Sequence, residues 1–177
     1  PQMGALPRAG AVGVIVVAGG RGVRAARPEG GEPKQCRSIR GVPMLERAVR
    51  PFVAHPRVGP IVVVLPPEYA AAPPGWLMEL APERLVVTPG GESRQDSVAN
   101  GIAVLPRGPS IVLVHDAARP FADGPLIDRV LLNDGRGRFV ASDLSPTPDR
   151  SYSAVLADVD QLADRLEDYC RTGSGQE

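Results

Sequence analysis

Residues 12–20 have the sequence VGVIVVAGG, which is typical of a buried β-strand that ends in a glycine loop. The run is apolar at consecutive positions, as expected for a strand that is covered on both faces of a sheet. Similar apolar runs recur at residues 61–65, 85–87 and 111–114. Each of these runs predicts a further buried strand.

Two segments between these runs have the spacing of amphipathic helices. The apolar positions are Met44, Leu45, Ala48, Val49 and Phe52 in the first segment, and Val98, Ile102 and Leu105 in the second. Alternating strands and helices predict a doubly wound, mostly parallel α/β sheet with helices on both faces. We expect residues 1–177 to form a single domain, with ligands bound beyond the carboxyl ends of the strands.

Composition narrows the possible classes of protein. The 20 Lys and Arg residues balance the 20 Asp and Glu residues, so the chain lacks the diffuse positive charge that binds nucleic acids non-specifically. No apolar run approaches the roughly 20 residues of a membrane helix. Cys36 and Cys170 lie far apart and form no CxxC or Cys/His cluster. We therefore expect a cytoplasmic protein with neither a nucleic acid nor a membrane partner.

The first candidate motif follows the first strand. It reads AGGRGVR at residues 18–24, and nine residues separate Arg24 from the single lysine of the chain, Lys34. Glycine backbone N–H groups can approach phosphate oxygens closely, and an Arg with a nearby Lys can neutralise the charge of a triphosphate. The alternative is a glycine-rich surface loop, which is common after strands. This motif alone does not separate the two interpretations.

The second candidate motif, GGESRQDS at residues 90–97, follows the third apolar run. Ser93 and Asp96 have the spacing of a capping box and predict the start of a helix. The backbone groups of Gly90 and Gly91 and the hydroxyl of Ser97 could contact the edge of a pyrimidine base. The alternative is a well-capped helix without a ligand.

The third candidate motif, HDAARP at residues 115–120, directly follows the fourth apolar run. A carboxylate at the end of a strand, here Asp116, is well placed to hold Mg²⁺ or a sugar hydroxyl, and Arg119 to bind phosphate. The alternative is a local ion pair between these two residues beside a partly buried His115. Three strand ends that all carry such groups favour a ligand site.

Taken in order, AGGRGVR, PKQ, GGESRQDS and VHDAARPF resemble the motif series of the 2-C-methyl-D-erythritol 4-phosphate cytidylyltransferase family. The resemblance spans residues 12–130 and implies a Rossmann-like nucleotidyltransferase fold. It also implies a reaction in which methylerythritol phosphate attacks the α-phosphorus of CTP and pyrophosphate leaves, with Mg²⁺ as the cofactor. Such a reaction needs positioning and charge stabilisation rather than a protein nucleophile.

The resemblance assigns roles to the residues of these motifs. The phosphates of CTP would be wrapped by Ala18, Gly19, Gly20 and Gly22. The transition state would be stabilised by Arg24 and Lys34. The cytosine would be surrounded by Gly91, Glu92 and Ser97, beside Gly90. The ribose, the Mg²⁺ ion and the acceptor would lie near Asp116, Ala117 and Arg119, with Asp116 as the candidate metal ligand.

Residues 133–177 depart from the family pattern. Residues 138–142 are a candidate strand, and residues 152–170 have the apolar spacing of an amphipathic helix. The family is homodimeric through a projecting β-arm, and we do not recognise that arm in this segment. The lysine that positions the acceptor in the family is also not found after Lys34.

Three other functions are open at this point. A cytidylyltransferase for ribitol phosphate or another polyol phosphate has similar motifs, and a molybdopterin nucleotidyltransferase shares the glycine loop and the downstream lysine. A CTP-binding protein without catalytic activity would retain the same motifs. The Ala-Ala pair within HDAARP, and the presence of this motif together with GGESRQDS, favour the methylerythritol phosphate enzyme.

Overall fold

A computed structural model describes residues 8–19, 37–131 and 156–158, the last three by their backbone alone. Its strands are β1 (Val12–Val17), β2 (Ser38–Ile39), β3 (Val42–Pro43), β4 (Val58–Leu65), β5 (Leu85–Pro89), β6 (Ile111–Asp116) and β7 (Leu156–Asp158). Its helices are α1 (Met44–Ala54), α2 (Pro67–Ala71), α3 (Gly75–Glu79), α4 (Arg94–Val104) and α5 (Gly124–Leu131).

The main sheet has the strand order β5-β4-β1-β6-β7. Strands β5, β4, β1 and β6 are parallel, and β7 is antiparallel to β6. This arrangement confirms the predicted mostly parallel, doubly wound sheet. Strand β4 begins three residues before the predicted run, and β5 and β6 each end two residues after theirs. Pro89, His115 and Asp116 interrupt the apolar pattern but still pair with neighbouring strands. The hydrophobic pattern therefore missed the ends of β5 and β6.

Helices cover both faces of the sheet and form two apolar clusters. On one face, the predicted apolar residues of α1 are all buried against β1 and β4 together with α3 and α5. On the other face, Val98, Ile102 and Leu105 pack against Ile15, Val62, Val64, Val112 and Val114. Both predicted helical faces are therefore confirmed. Within the described parts of the chain, no helix has the length and apolar character needed to span a lipid bilayer.

The predicted helix over residues 152–170 is wrong at residues 156–158, which form strand β7. This strand pairs with β6 in the register Ile111 with Asp158 and Leu113 with Leu156. The unpaired backbone groups along the edge of β6 supply hydrogen-bond partners that the sequence pattern alone does not reveal. The rest of the predicted helix, and the candidate strand at 138–142, lie outside the described residues.

Candidate active site

Three loops meet beyond the carboxyl ends of β1, β5 and β6. The backbone N–H groups of Ala18, Gly90 and Ala117 each donate to a carbonyl oxygen of a neighbouring strand, at 2.8, 2.7 and 3.0 Å. The start of each loop is thereby fixed to the sheet. The motifs predicted from the sequence lie at a single edge because parallel strands all end there.

The first two glycine loops are in direct contact. A Cβ atom added to Gly19 would lie 3.1 Å from the Cα atom of Gly90, and one added to Gly90 would lie 3.2 Å from the Cα atom of Gly19. These distances are tighter than ordinary van der Waals contacts, so a side chain at either position would push the loops apart. The loops offer backbone groups at this point, as a site for phosphate or a base edge would require.

The second loop leads into a fully formed capping box at the start of α4. The Ser93 hydroxyl accepts from the Asp96 backbone N–H at 3.0 Å, and the Asp96 carboxylate accepts from the Ser93 N–H at 2.9 Å. Hydrogen bonds from the hydroxyl and the N–H of Ser93 hold the pKa of Asp96 below its usual value. The capped helix predicted from the sequence is confirmed.

Ser97 ties the glycine turn to this helix. Its side chain is buried, and its hydroxyl donates to the Ser93 carbonyl at 2.9 Å and accepts from the Gly91 N–H at 3.1 Å. A Cβ on Gly91 would lie 2.3 Å from the Cβ of Asp96. Glu92, the other residue assigned to the base, is exposed. The turn from Gly90 to Ser93 is thus held from inside by the helix.

Asp116 lies at the end of β6 between two arginines. The Nε and Nη2 atoms of Arg94 both lie 3.0 Å from Asp116 Oδ1. The Nε atom of Arg119 lies 3.7 Å from Asp116 Oδ2, beyond hydrogen-bond distance. The local ion pair considered from the sequence is therefore present in a weak form. The stronger contact, with Arg94, was missed.

His115 fixes the turn that carries Arg119. Its Nε2 atom lies 3.0 Å from the Arg119 carbonyl oxygen, and its ring packs edge-on against Phe52 at 5.0 Å. Burial lowers the pKa of His115 from its ordinary value of 6.5, although the Arg119 carbonyl and the Asp116 carboxylate oppose this shift. A carbonyl can only accept, so the neutral ring carries its hydrogen on Nε2 and donates it to Arg119.

One guanidinium nitrogen of Arg119, the Nη1 atom, is buried without a hydrogen-bond partner in the described part of the chain. Buried polar nitrogens are costly without a partner. Two guanidinium groups surrounding the one carboxylate of Asp116 also leave a local excess of positive charge. Both features suit an anionic ligand.

The structure does not describe four of the predicted site residues. Gly20, Gly22, Arg24 and Lys34 lie outside the described residues. The structure brings together the other predicted residues at one edge of the sheet. Arg94 belongs to the quoted GGESRQDS motif, but no local pattern signals its pairing with a carboxylate that follows a different strand.

A magnesium ion is compatible with the donor set of this site. Within the described ranges, no three His, Cys, Asp or Glu side chains lie close enough to hold a metal ion by themselves. Asp116 can still supply one oxygen, because the sole contact of Oδ2 with the described residues is the long one with Arg119. Mg²⁺ in nucleotide sites is commonly held by one or two carboxylates together with phosphate oxygens and water.

A known protein family matches the region of the chain that carries these site residues. The family model IspD, 2-C-methyl-D-erythritol 4-phosphate cytidylyltransferase, matches residues 12–149. The chain belongs to this family. The family match begins at β1 and continues beyond the resemblance seen in the sequence motifs, into residues that follow α5.

Two curated members of the family, both named 2-C-methyl-D-erythritol 4-phosphate cytidylyltransferase, come from Streptomyces. The Streptomyces avermitilis protein is 45% identical over 128 residues, which cover 71% of this chain and 50% of the relative. The Streptomyces coelicolor protein is 46% identical over 120 residues, which cover 66% of this chain and 43% of the relative. The matched region of this chain thus spans about half the length of these relatives.

The fold is shared with solved members of the family. The crystal structure of 2-C-methyl-D-erythritol 4-phosphate cytidylyltransferase from Thermus thermophilus superposes with a TM-score of 0.59. The comparison covers 93% of this chain and 78% of the Thermus chain, at 24% identity. The similarity confirms the Rossmann-like nucleotidyltransferase fold predicted from the sequence.

Proposed function

We propose that this protein transfers the cytidylyl group of CTP to 2-C-methyl-D-erythritol 4-phosphate. A phosphate oxygen of the acceptor attacks the α-phosphorus of CTP, the bond from that phosphorus to the bridging oxygen breaks, and pyrophosphate leaves. The proposal rests on membership of the family together with one structural observation. This observation is the contact between the glycine loops, with Gly19 beside Gly90, at the edge that also carries Asp116.

The glycine loops would bind the nucleotide. Their close contact disfavours side chains at Gly19 and Gly90. Backbone groups of these loops would therefore meet the ligand. By family resemblance, Ala18, Gly19, Gly20 and Gly22 would hold the phosphates, and the turn formed by Gly90, Gly91 and Glu92, with Ser97 behind it, would hold the cytosine. The buried hydrogen bonds of Ser97 support a turn of fixed shape, which is what recognition of a base edge needs.

Charged groups would complete the site. Arg24 and Lys34 would stabilise the charge that develops on the α-phosphate and the leaving pyrophosphate. The Nη1 donor of Arg119, which has no partner among the described residues, supports a role in binding a phosphate or the acceptor. Ala117 and Asp116 would lie beside the ribose. When bound, Mg²⁺ would neutralise phosphate charge, and Asp116 Oδ2 would be the protein oxygen available to hold it.

The proposal is tested by binding followed by turnover in one preparation. CTP with Mg²⁺ is titrated calorimetrically into the 177-residue chain, and methylerythritol phosphate is then added while pyrophosphate release is measured. We expect saturable CTP binding and release of one pyrophosphate for each acceptor consumed. Absence of CTP binding would overturn the proposal. Binding without release would leave a CTP-binding protein that lacks this activity.

The identity of the acceptor is tested in parallel. Ribitol 5-phosphate in place of methylerythritol phosphate should release pyrophosphate much more slowly at equal concentration. Faster turnover with ribitol phosphate would assign the chain to the polyol-phosphate enzymes instead. A single domain over residues 1–177 and a cytoplasmic location are predictions from the family pattern and composition. The family is homodimeric through an arm that we do not recognise in this sequence, so sedimentation of the purified chain would decide its oligomeric state.

A further inference from the structure

We infer that Arg94 is a positioning residue, which sets the orientation of Asp116 and thereby the selectivity of the site for the ribose of its nucleotide. The inference rests on the proposed function, since it concerns the same nucleotide site. Arg94 was not among the candidate site residues predicted from the sequence.

The geometry of the pair supports this inference. Both Nε and Nη2 of Arg94 lie 3.0 Å from the same carboxylate oxygen, Oδ1 of Asp116. The carboxylate of Asp can otherwise rotate within a broad range about its last bond. Two charge-assisted contacts on one oxygen restrict that rotation. The orientation of the second oxygen, Oδ2, is thereby fixed, and this oxygen can still accept a hydrogen bond from a ligand hydroxyl.

The same pair contributes little to holding the loops in place. The Arg94 side chain is 47% exposed and that of Asp116 is 24% exposed, and exposed ion pairs add little stability. The two loops are already fixed to the sheet by the backbone hydrogen bonds of Gly90 and Ala117. We therefore expect loss of Arg94 to change the orientation of the carboxylate more than the fold.

The pair also joins the two halves of the site. Arg94 is the first residue of α4, behind the loop assigned to the base, and Asp116 ends β6, beside the loop assigned to the ribose. In the sheet, β4 and β1 lie between β5 and β6. The side chain of Arg94 therefore reaches across the sheet edge. It can set the position of the residue that contacts the ribose relative to the loop that contacts the base.

A different role for Arg94 makes a different prediction. If its guanidinium simply attracted the triphosphate, its loss would weaken CTP and deoxynucleotides equally, because they carry the same phosphates. If it positions Asp116 against a ribose hydroxyl, its loss would weaken CTP more than the deoxynucleotide that lacks this hydroxyl. The ratio of the two affinities separates these roles.

The test measures dissociation constants for CTP, 2′-deoxy-CTP and 3′-deoxy-CTP by calorimetry with Mg²⁺. We expect the wild-type chain to bind CTP about 10-fold or more tightly than at least one deoxynucleotide, as for loss of a hydrogen bond to a charged group. In Arg94→Met and in Arg94→Gln this ratio should fall below about 3-fold. In Asp116→Asn it should fall similarly, and the double variant Arg94→Met with Asp116→Asn should lose no more than Asp116→Asn alone.

Arg50 provides a matched control, since its Nε donates to Glu46 Oε1 at 2.7 Å in an arginine–carboxylate pair on α1 whose arginine is exposed. Arg50→Met should leave the ratio unchanged, and thermal melting of each variant should show that the fold is retained. An unchanged ratio in Arg94→Met, or an equal loss for CTP and both deoxynucleotides, would overturn the inference. A wild-type chain that binds CTP without selectivity would overturn it as well. A wild-type chain that binds no CTP would overturn the proposed function first and this inference with it.

Discussion

A Cβ atom on Gly19 would lie 3.1 Å from the Cα atom of Gly90, so the two loops after β1 and β5 favour glycine at their point of contact. These glycines belong to different motifs, 71 positions apart in the chain. Their proximity brings the backbones of two separate glycine loops into contact, with Gly19 buried and Gly90 partly exposed. A substitution at either loop should therefore affect the nucleotide site as a whole.

Gly90→Ala should weaken CTP binding by about tenfold, which corresponds to a displacement cost of about 1.4 kcal/mol. The added Cβ would lie 3.1 Å from the hydroxyl oxygen of Ser97 and 3.2 Å from the Cα of Gly19, so the loops must separate. Calorimetric titration with CTP measures the change. Gly124→Ala is the control, because a Cβ there meets no atom within 4 Å. Wild-type affinity in Gly90→Ala would show that the loop contact does not shape the site.

Ser97→Ala should lower the free energy of unfolding by about 1–3 kcal/mol, as for a buried hydrogen-bonded hydroxyl. The Gly91 N–H would lose its acceptor, whereas the Ser93 carbonyl would lose the hydroxyl and keep the Ser97 backbone N–H at 3.1 Å. The hydroxyl already donates its only hydrogen to Ser93, so we expect the loss of stability to exceed the loss of CTP affinity. Urea unfolding and CTP titration measure the two quantities.

Ser110→Ala is the matched control for Ser97→Ala, since Ser110 is exposed and its hydroxyl makes only a 3.4 Å contact with the Ala11 carbonyl. It should change neither quantity. A large loss of CTP affinity in Ser97→Ala with unchanged stability would instead indicate direct contact between the hydroxyl and the base.

His115 should make the stability of the fold depend on pH. Burial lowers its folded-state pKa below 6.5, so between these two values the unfolded chain binds more protons than the folded chain. The contribution is fully present above about pH 6.5 and is lost as the pH falls toward the folded-state pKa. Urea unfolding at several pH values should show a steeper loss of stability for the wild type than for His115→Gln.

The comparison of wild type with His115→Gln isolates this residue, because both proteins retain His55, the other histidine of the chain. Glutamine keeps an N–H donor for the Arg119 carbonyl but does not titrate. Parallel pH profiles for the two proteins would contradict the assigned pKa shift.

Lys34→Ala should reduce turnover by about 100-fold or more while the melting temperature is unchanged, as expected for loss of a charge-stabilising donor. Lys34 lies outside the described residues, so this expectation comes from the sequence motif alone. Lys34→Arg keeps the charge and should retain part of the activity. Steady-state kinetics with CTP and methylerythritol phosphate provide the measurement, and unchanged kinetics in Lys34→Ala would exclude the residue from the site.

Gly101→Ala should destabilise the fold by about 1–3 kcal/mol through overpacking, although alanine is the better helix former by about 1 kcal/mol. The added Cβ would lie 2.6 Å from Ile15 Cγ2, a fully buried side chain on β1. Gly75→Ala is the control, since a Cβ at this first residue of α3 meets nothing within 4 Å. Equal stability of both variants would mean that α4 can move away from the sheet.

Local patterns were sufficient to predict most of the fold. The strand run at 12–17, the buried face of α1 and the capping box of Ser93 and Asp96 were all predicted correctly. Each of these features depends on residues a few positions apart, where periodicity and backbone hydrogen bonding act directly. The ordered motifs likewise indicated the family, which the family match confirms.

The features that only the folded chain reveals join residues that are distant in sequence. Strand β7 replaced part of a predicted helix because the edge of β6 offered unpaired backbone groups. Arg94 meets Asp116, and Gly19 meets Gly90, only because the sheet places β1, β5 and β6 in parallel with their carboxyl ends together. Sequence patterns thus predicted the four parallel strands and the helices α1 and α4. Strand order and register decided which side chains share the site, because contact across a sheet depends on spatial neighbours and not on spacing along the chain.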